Sequence, residues 1–156
     1  MLDEPKKLES ILLICVDVDK MMLQIDVNRM ASTLSEDELV RANNFRDSLL
    51  RDRFVAGRFC LREILGRELD MPSNKISFSI ESNGKPVVSN SSNSLINGGH
   101  FSFSRSQQYA LIGYSASRRI GVDIERVRSL PDMELCLLYT SPSPRDQRGS
   151  RMPSSA

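Results

Sequence analysis

From Ser48 to Leu69 apolar residues recur at three- and four-residue steps: Leu50, Phe54, Leu61, Ile64 or Leu65, and Leu69. That period gathers them on one side of an α-helix, which must bury that side against another layer. Arg51, Arg58 and Arg62 fall on another face at steps of seven and four, and read as a solvated basic face. Met71-Pro72 ends the run, because proline disfavours helix for the residue before it. A shorter helix precedes it. Ser35 can cap the first free N–H groups, Glu38 stands three residues on as a capping box requires, and Leu39, Ala42 and Phe45 form the buried side. The acidic residues Glu36, Asp37 and Glu38 also suit the helix dipole.

The remaining pattern is that of strands. Ser10 to Val18 reads as a buried strand ending in acidic residues, whereas Met21 to Met30 shows no period that fixes its structure. Ile76, Phe78 and Ile80 alternate with polar residues, Asn83-Gly84 marks a hairpin turn, and Lys85-Pro86-Val87-Val88 begins the return. Residues 89–99 are rich in Ser, Asn and Gly and read as a loop. Strands at Phe101 to Ser104 and Tyr109 to Tyr114 follow, then a last short strand at Ile120 to Glu125. The expected class is α+β, an antiparallel-rich sheet packed with helices.

Bulk properties narrow the function. Of 156 residues, 40% are hydrophobic and 26% charged, the range of a soluble globular domain. A net charge of +1 excludes a strongly basic nucleic-acid binder. Cys15, Cys60 and Cys136 are scattered, show no metal spacing and imply no disulfide framework, which suits a reducing cytoplasm. The apolar run Ile11 to Val16 is far shorter than the roughly 20 residues that span a bilayer, and no cleavage pattern follows it, so neither a membrane span nor an export signal is expected.

Three groups of residues could carry chemistry. Asp123 and Glu125 are two apart on an extended segment, so their side chains share a face at a backbone spacing of about 7 Å. Two carboxylates so placed can converge on Mg²⁺, which accepts one or two of them and completes its shell with water and phosphate oxygens. Read alone, they are equally two solvated acids. In Phe101-Ser102-Phe103-Ser104-Arg105-Ser106 a strand ends in hydroxyls flanking an arginine, donors suited to a phosphate or simply a polar strand end. Gly84-Lys85-Pro86 presents one lysine on a turn, a point charge for a phosphate or an ordinary turn residue.

Taken in order, Leu34-Ser35 to Phe45, Arg53-Phe54-Val55-Ala56-Gly57-Arg58 with Leu61-Arg62, Gly84-Lys85-Pro86, Phe101 to Ser106 and Gly121-Val122-Asp123-Ile124-Glu125 resemble the Sfp-type 4′-phosphopantetheinyl transferases. The resemblance covers residues 10–130. It implies a Mg²⁺-dependent enzyme, also described as a holo-(acyl-carrier-protein) synthase. In that family coenzyme A lies in a cleft between two similar α+β halves with its diphosphate on Mg²⁺. The serine of an acyl, peptidyl or aryl carrier protein attacks the phosphorus bearing pantetheine, and 3′,5′-ADP leaves. By resemblance, Asp123 and Glu125 match the two metal carboxylates of G-V-D-x-E, and Lys85 matches the phosphate-binding lysine of G-K-P. Ser104 and Arg105 match the S-H pair at the 3′-phosphate side, and Arg58 matches a basic helix position that reaches coenzyme A.

Two departures from the family stand out. Arg105 occupies the place of the usual histidine in F-N-x-S-H-S; it keeps a cation there at every working pH, and His100, the sole histidine, lies outside that slot. The family also continues into a helical second half with a further acidic ligand and a W/F-x-x-K-E-x-x-x-K motif, which is not found here. The expected organisation is a loose N-terminus at 1–9, an incomplete transferase domain at 10–135, and a disordered or artefactual Ser/Pro/Arg-rich tail at 136–156. This chain is therefore expected to be an inactive fragment of a cytoplasmic enzyme that is monomeric in full-length form. The rival expectation is a half-domain that binds coenzyme A or a carrier protein without catalysis.

Overall fold

The computed structural model describes residues 11–82, 84–89 and 99–127. Strand β1 (Ile11–Asp17) runs into two five-residue helices, α1 (Val18–Met22) and α2 (Val27–Ala31). Asp17 and Asp26 cap them with their carboxylates. These are the elements of the stretch where the sequence shows no period; five residues are too few to display one. Helix α3 (Glu36–Asn43) begins with the expected capping box, the Ser35 hydroxyl accepting from Glu38 N and the Glu38 carboxylate accepting from Ser35 N. Helix α4 (Ser48–Glu68) is the long amphipathic helix, capped by Asp47.

After α4 a 3₁₀ turn (Ser73–Lys75) leads to β2 (Ser77–Ile80) and β3 (Pro86–Ser89), an antiparallel hairpin with Phe78 opposite Val88. Gly84 takes φ +83° in its turn, a conformation that glycine adopts without steric cost. Strands β4 (His100–Ser106) and β5 (Tyr109–Ser115) form a second hairpin, and β1 adds to β5 to give an antiparallel sheet of order β1-β5-β4. The fold is α+β with antiparallel pairing throughout the described residues, as expected.

Helix α4 joins two apolar clusters. Phe54, Val55 and Ala56 meet Val18, Met30, Leu34 and Ala42 from the helices before it. Cys60, Leu61 and Leu65 meet Phe101, Ile112 and Tyr114 from the sheet, with Ile76 and Val88. Leu61 and Leu65 are fully buried, and each such side chain contributes about 1.5–3 kcal/mol.

The basic face of α4 departs from expectation. Arg51 is exposed, but Arg62 is 1% accessible and Arg58 mostly buried, because both pair with Glu38 on α3. Arg62 Nε donates to Glu38 Oε2 at 2.8 Å, and its Nη1 donates to the carbonyls of Ser73 and Ile76 at 3.0 and 2.7 Å. Burial pushes the Glu38 carboxyl upward, but Arg58, the Ser35 N–H and Arg62 outweigh it and hold the group below its ordinary value. Two of the three arginines thus belong to the interior, since their counter-ion arrives from a different helix.

Among the described residues no helix is long and apolar enough to cross a membrane. The boundaries proposed at 1–9 and from 136 onward lie outside the described residues.

Candidate functional site

Residues 119–126, here termed the strap, follow β5 and form no ladder with a strand among the described residues. The expected last strand is therefore absent as a ladder, and side chains of β4 replace its partner. Val122 N donates to Ser102 Oγ at 3.0 Å and Ile124 N donates to Ser104 Oγ at 3.2 Å. Lys85 Nζ donates to the carbonyl of Ile120 at 2.9 Å, and Arg119 pairs with Glu81 at 3.3 Å, so the β2–β3 hairpin holds the start of the strap. Gly113 on β5, opposite Ser102, leaves the room beneath it: a Cβ there would lie 2.7 Å from Val122 Cγ1 and 3.0 Å from Ile120 Cδ1.

The strap keeps the period of two. Ile120, Val122 and Ile124 are half-buried, while Gly121, Asp123 and Glu125 are exposed. The two carboxylates therefore share the solvent side, and neither is buried against apolar groups. Asp123 Oδ1 accepts from Ser104 Oγ at 2.7 Å and from Ile124 N at 2.9 Å. Glu125 lines a cavity of about 370 Å³ with Arg126, Tyr109 and the β4–β5 turn. Among the described residues no group of three His, Cys, Asp or Glu side chains could hold a metal. A donor set of two carboxylates fits Mg²⁺, whose remaining positions go to water and phosphate; it is too sparse for an all-protein Ca²⁺ cage.

Alternation along β4 sends Ser104 and Arg105 to opposite faces of the sheet. Arg105 turns toward α4, where its stem lies against Gly57, at 3.0 Å from a Cβ placed there, and its guanidinium carbon sits 5.2 Å from the Phe54 ring centre. Arg41 of α3 stands 5.5 Å from the same ring centre. Desolvation, and then the Arg41 and Arg58 cations, hold Arg105 below its ordinary value. Neither Arg41 nor Arg105 forms an ion pair among the described residues. Arg58 differs: it shares the Glu38 carboxylate with Arg62, and its guanidinium carbon lies 4.5 Å from the Phe78 ring centre.

Of the residues expected to meet coenzyme A, then, Arg105 lies against Phe54 with no carboxylate partner among the described residues, Arg58 is paired inside, and Lys85 and Ser104 hold the strap. Arg41 escaped the sequence reading, because a single arginine on a helix carries no pattern that points to Phe54 thirteen residues away.

Over 107 residues the chain is 42% identical to the 4′-phosphopantetheinyl transferase HetI of Nostoc sp.. The chain belongs to the 4′-phosphopantetheinyl transferase superfamily. The match covers 67% of this chain and 44% of HetI, so the chain spans less than half the length of the curated relative it matches. Among solved structures, the Helicobacter pylori holo-(acyl-carrier-protein) synthase in complex with coenzyme A is similar at a TM-score of 0.45 and 16% identity, covering 67% of this chain and 97% of that one. The Thermotoga maritima holo-(acyl-carrier-protein) synthase is similar at a TM-score of 0.46 and 24% identity, over 70% of this chain and 63% of that one. No family model matches the chain.

Proposed function

We propose that this chain is the coenzyme A-binding part of an Sfp-type, Mg²⁺-dependent 4′-phosphopantetheinyl transferase, which moves the phosphopantetheine arm of coenzyme A to a carrier-protein serine and releases 3′,5′-ADP. The observation that carries this reading is the shared solvent side of Asp123 and Glu125 on a strap anchored to the sheet. Asp123 and Glu125 would hold Mg²⁺, which when bound neutralises the diphosphate charge. Arg105 and Arg41 supply cations for a separate phosphate, such as the 3′-phosphate. Arg58 and Lys85 act at one remove, Arg58 through its place beside Phe78 and Lys85 by fixing Ile120. Such a site works by holding charge and geometry for phosphoryl transfer.

We further propose cytoplasmic work on acyl, peptidyl or aryl carrier proteins by a monomeric full-length enzyme. The free thiols of Cys15 and Cys60 support a reducing compartment. Binding of coenzyme A or a carrier protein without turnover is the second reading for these 156 residues.

Titration calorimetry of the chain with coenzyme A should show binding that strengthens when Mg²⁺ is added. Binding that is absent, or indifferent to Mg²⁺ and to the double variant Asp123→Asn/Glu125→Gln, would refute the site. Mass spectrometry of an apo carrier protein incubated with chain, coenzyme A and Mg²⁺ separates the two readings, and no multiple turnover is expected from this chain alone.

A further inference from the structure

Strand β4 and the strap both advance two residues per side-chain repeat, so Ser102 meets Val122 N as Ser104 meets Ile124 N. Ser104 does one thing more, donating to Asp123 Oδ1 at 2.7 Å. A serine hydroxyl has one proton to give. With that proton on Asp123 and a lone pair on Ile124 N–H, Ser104 has no donor left for a phosphate oxygen, which can only accept. Contact with phosphate and the observed bond exclude each other.

Asp123 Oδ1 also takes the Ile124 N–H at 2.9 Å, so two donors engage that oxygen and leave Oδ2 for another ligand. Without them Asp123 would be an exposed side chain on a segment with no ladder, free to sample rotamers. Mg²⁺ demands near-octahedral geometry at short distance, so a carboxylate fixed beforehand binds it better than a mobile one.

We infer that Ser104 is a positioning residue for the cation site: it holds Asp123 through Oδ1, so that Oδ2 would remain for a divalent ion, and it does not touch coenzyme A phosphate. This rests on the coenzyme A and Mg²⁺ reading above. Ser102 supplies the control, because it anchors the strap through an equivalent bond but meets no carboxylate there.

The test uses the 156-residue chain, with Mn²⁺ as a paramagnetic probe titrated in the presence of coenzyme A, and calorimetry of coenzyme A in EDTA and in Mg²⁺. Ser104→Ala should weaken Mn²⁺ by about tenfold, the lower end for loss of a ligand-orienting partner. It should leave coenzyme A affinity in EDTA unchanged. Ser104→Thr, which keeps the hydroxyl, should restore Mn²⁺ affinity, and Ser102→Ala should change it less than Ser104→Ala. An equal loss of coenzyme A affinity in EDTA and in Mg²⁺ would make Ser104 a phosphate contact and overturn the inference. Equal effects of Ser102→Ala and Ser104→Ala on Mn²⁺, or unchanged Mn²⁺ affinity in Ser104→Ala, would overturn it too. A wild-type chain that binds no coenzyme A in Mg²⁺ would refute the function itself and this inference with it.

Discussion

The α3–α4 junction and the strap both hold charged side chains by hydrogen bonds, yet to opposite ends. At the junction the single carboxylate of Glu38 pairs with both Arg58 and Arg62 inside the protein, and Arg62 also ties down the carbonyls of Ser73 and Ile76. In the strap Asp123 and Glu125 stay in solvent, and the holding is done by neutral hydroxyls beneath them. Buried charges that satisfy each other fix the fold and have nothing left for a ligand. Exposed charges whose scaffold is satisfied separately stay available to a ligand. The same contrast divides the arginines: Arg58 is paired, while Arg41 and Arg105 share Phe54 without a carboxylate.

The comparison breaks most severely at Arg62. Arg62→Ala takes from Glu38 one of its two guanidinium partners, leaves the carbonyls of Ser73 and Ile76 without that donor, and should cost about 2–5 kcal/mol in chemical denaturation. Arg62→Lys should recover little, since one ammonium cannot reproduce the fork. A cost below ~1 kcal/mol would mean that the buried cluster is not what fixes α3 on α4.

Glu38→Gln keeps an acceptor but removes the counter-ion shared by Arg58 and Arg62, so its cost should be comparable, and it should change the acid response. Glu38 is held below its ordinary 4.5 in the folded state, so its stabilisation is complete above that value and is lost as pH falls through the folded-state pKa. The wild type should therefore lose more stability than Glu38→Gln as pH is lowered from 4.5, read as melting temperature against pH. Parallel curves would contradict the assignment.

Gly113→Ala attacks the strap from below. Its methyl would meet Val122 at 2.7 Å and must move the strap or the sheet. A stability loss of about 1–3 kcal/mol is expected, together with loss of the Mg²⁺-dependent part of coenzyme A binding. Retention of that part would show that the strap's bed does not matter to the acidic pair.

The smallest effect belongs to the exposed cations. Arg41→Ala and Arg105→Ala should each weaken coenzyme A by about 1 kcal/mol or less in Mg²⁺-free buffer and flatten its salt dependence, with little change in melting temperature. An unchanged salt slope in calorimetry would remove the phosphate from that side.

Much of this could be read from residue order. The α4 period, the Ser35–Glu38 box, the Asn83-Gly84 hairpin and the acid-x-acid pair are local patterns, set by neighbours a few residues apart. The misreadings share one cause, a partner distant in sequence. Arg62 looked solvated because Glu38 lies on another helix, 24 residues away. Residues 120–125 looked like a strand because alternation marks extended backbone whether its N–H groups meet a neighbouring strand or, as here, the serine hydroxyls of β4.

By itself, then, the sequence determined the backbone of the stretches that show a clear period and the side their apolar residues take, because backbone preference and side-chain period are local. It also placed Asp123 and Glu125 together, since a two-residue spacing on extended chain needs no further information. Only the tertiary structure decided which charges are already spent. That depends on what other elements bring within hydrogen-bond reach: Glu38 to Arg58 and Arg62, Ile120 to Lys85, Ser104 to Asp123. A charged or polar side chain can serve a ligand only with the donors and acceptors its neighbours leave unused.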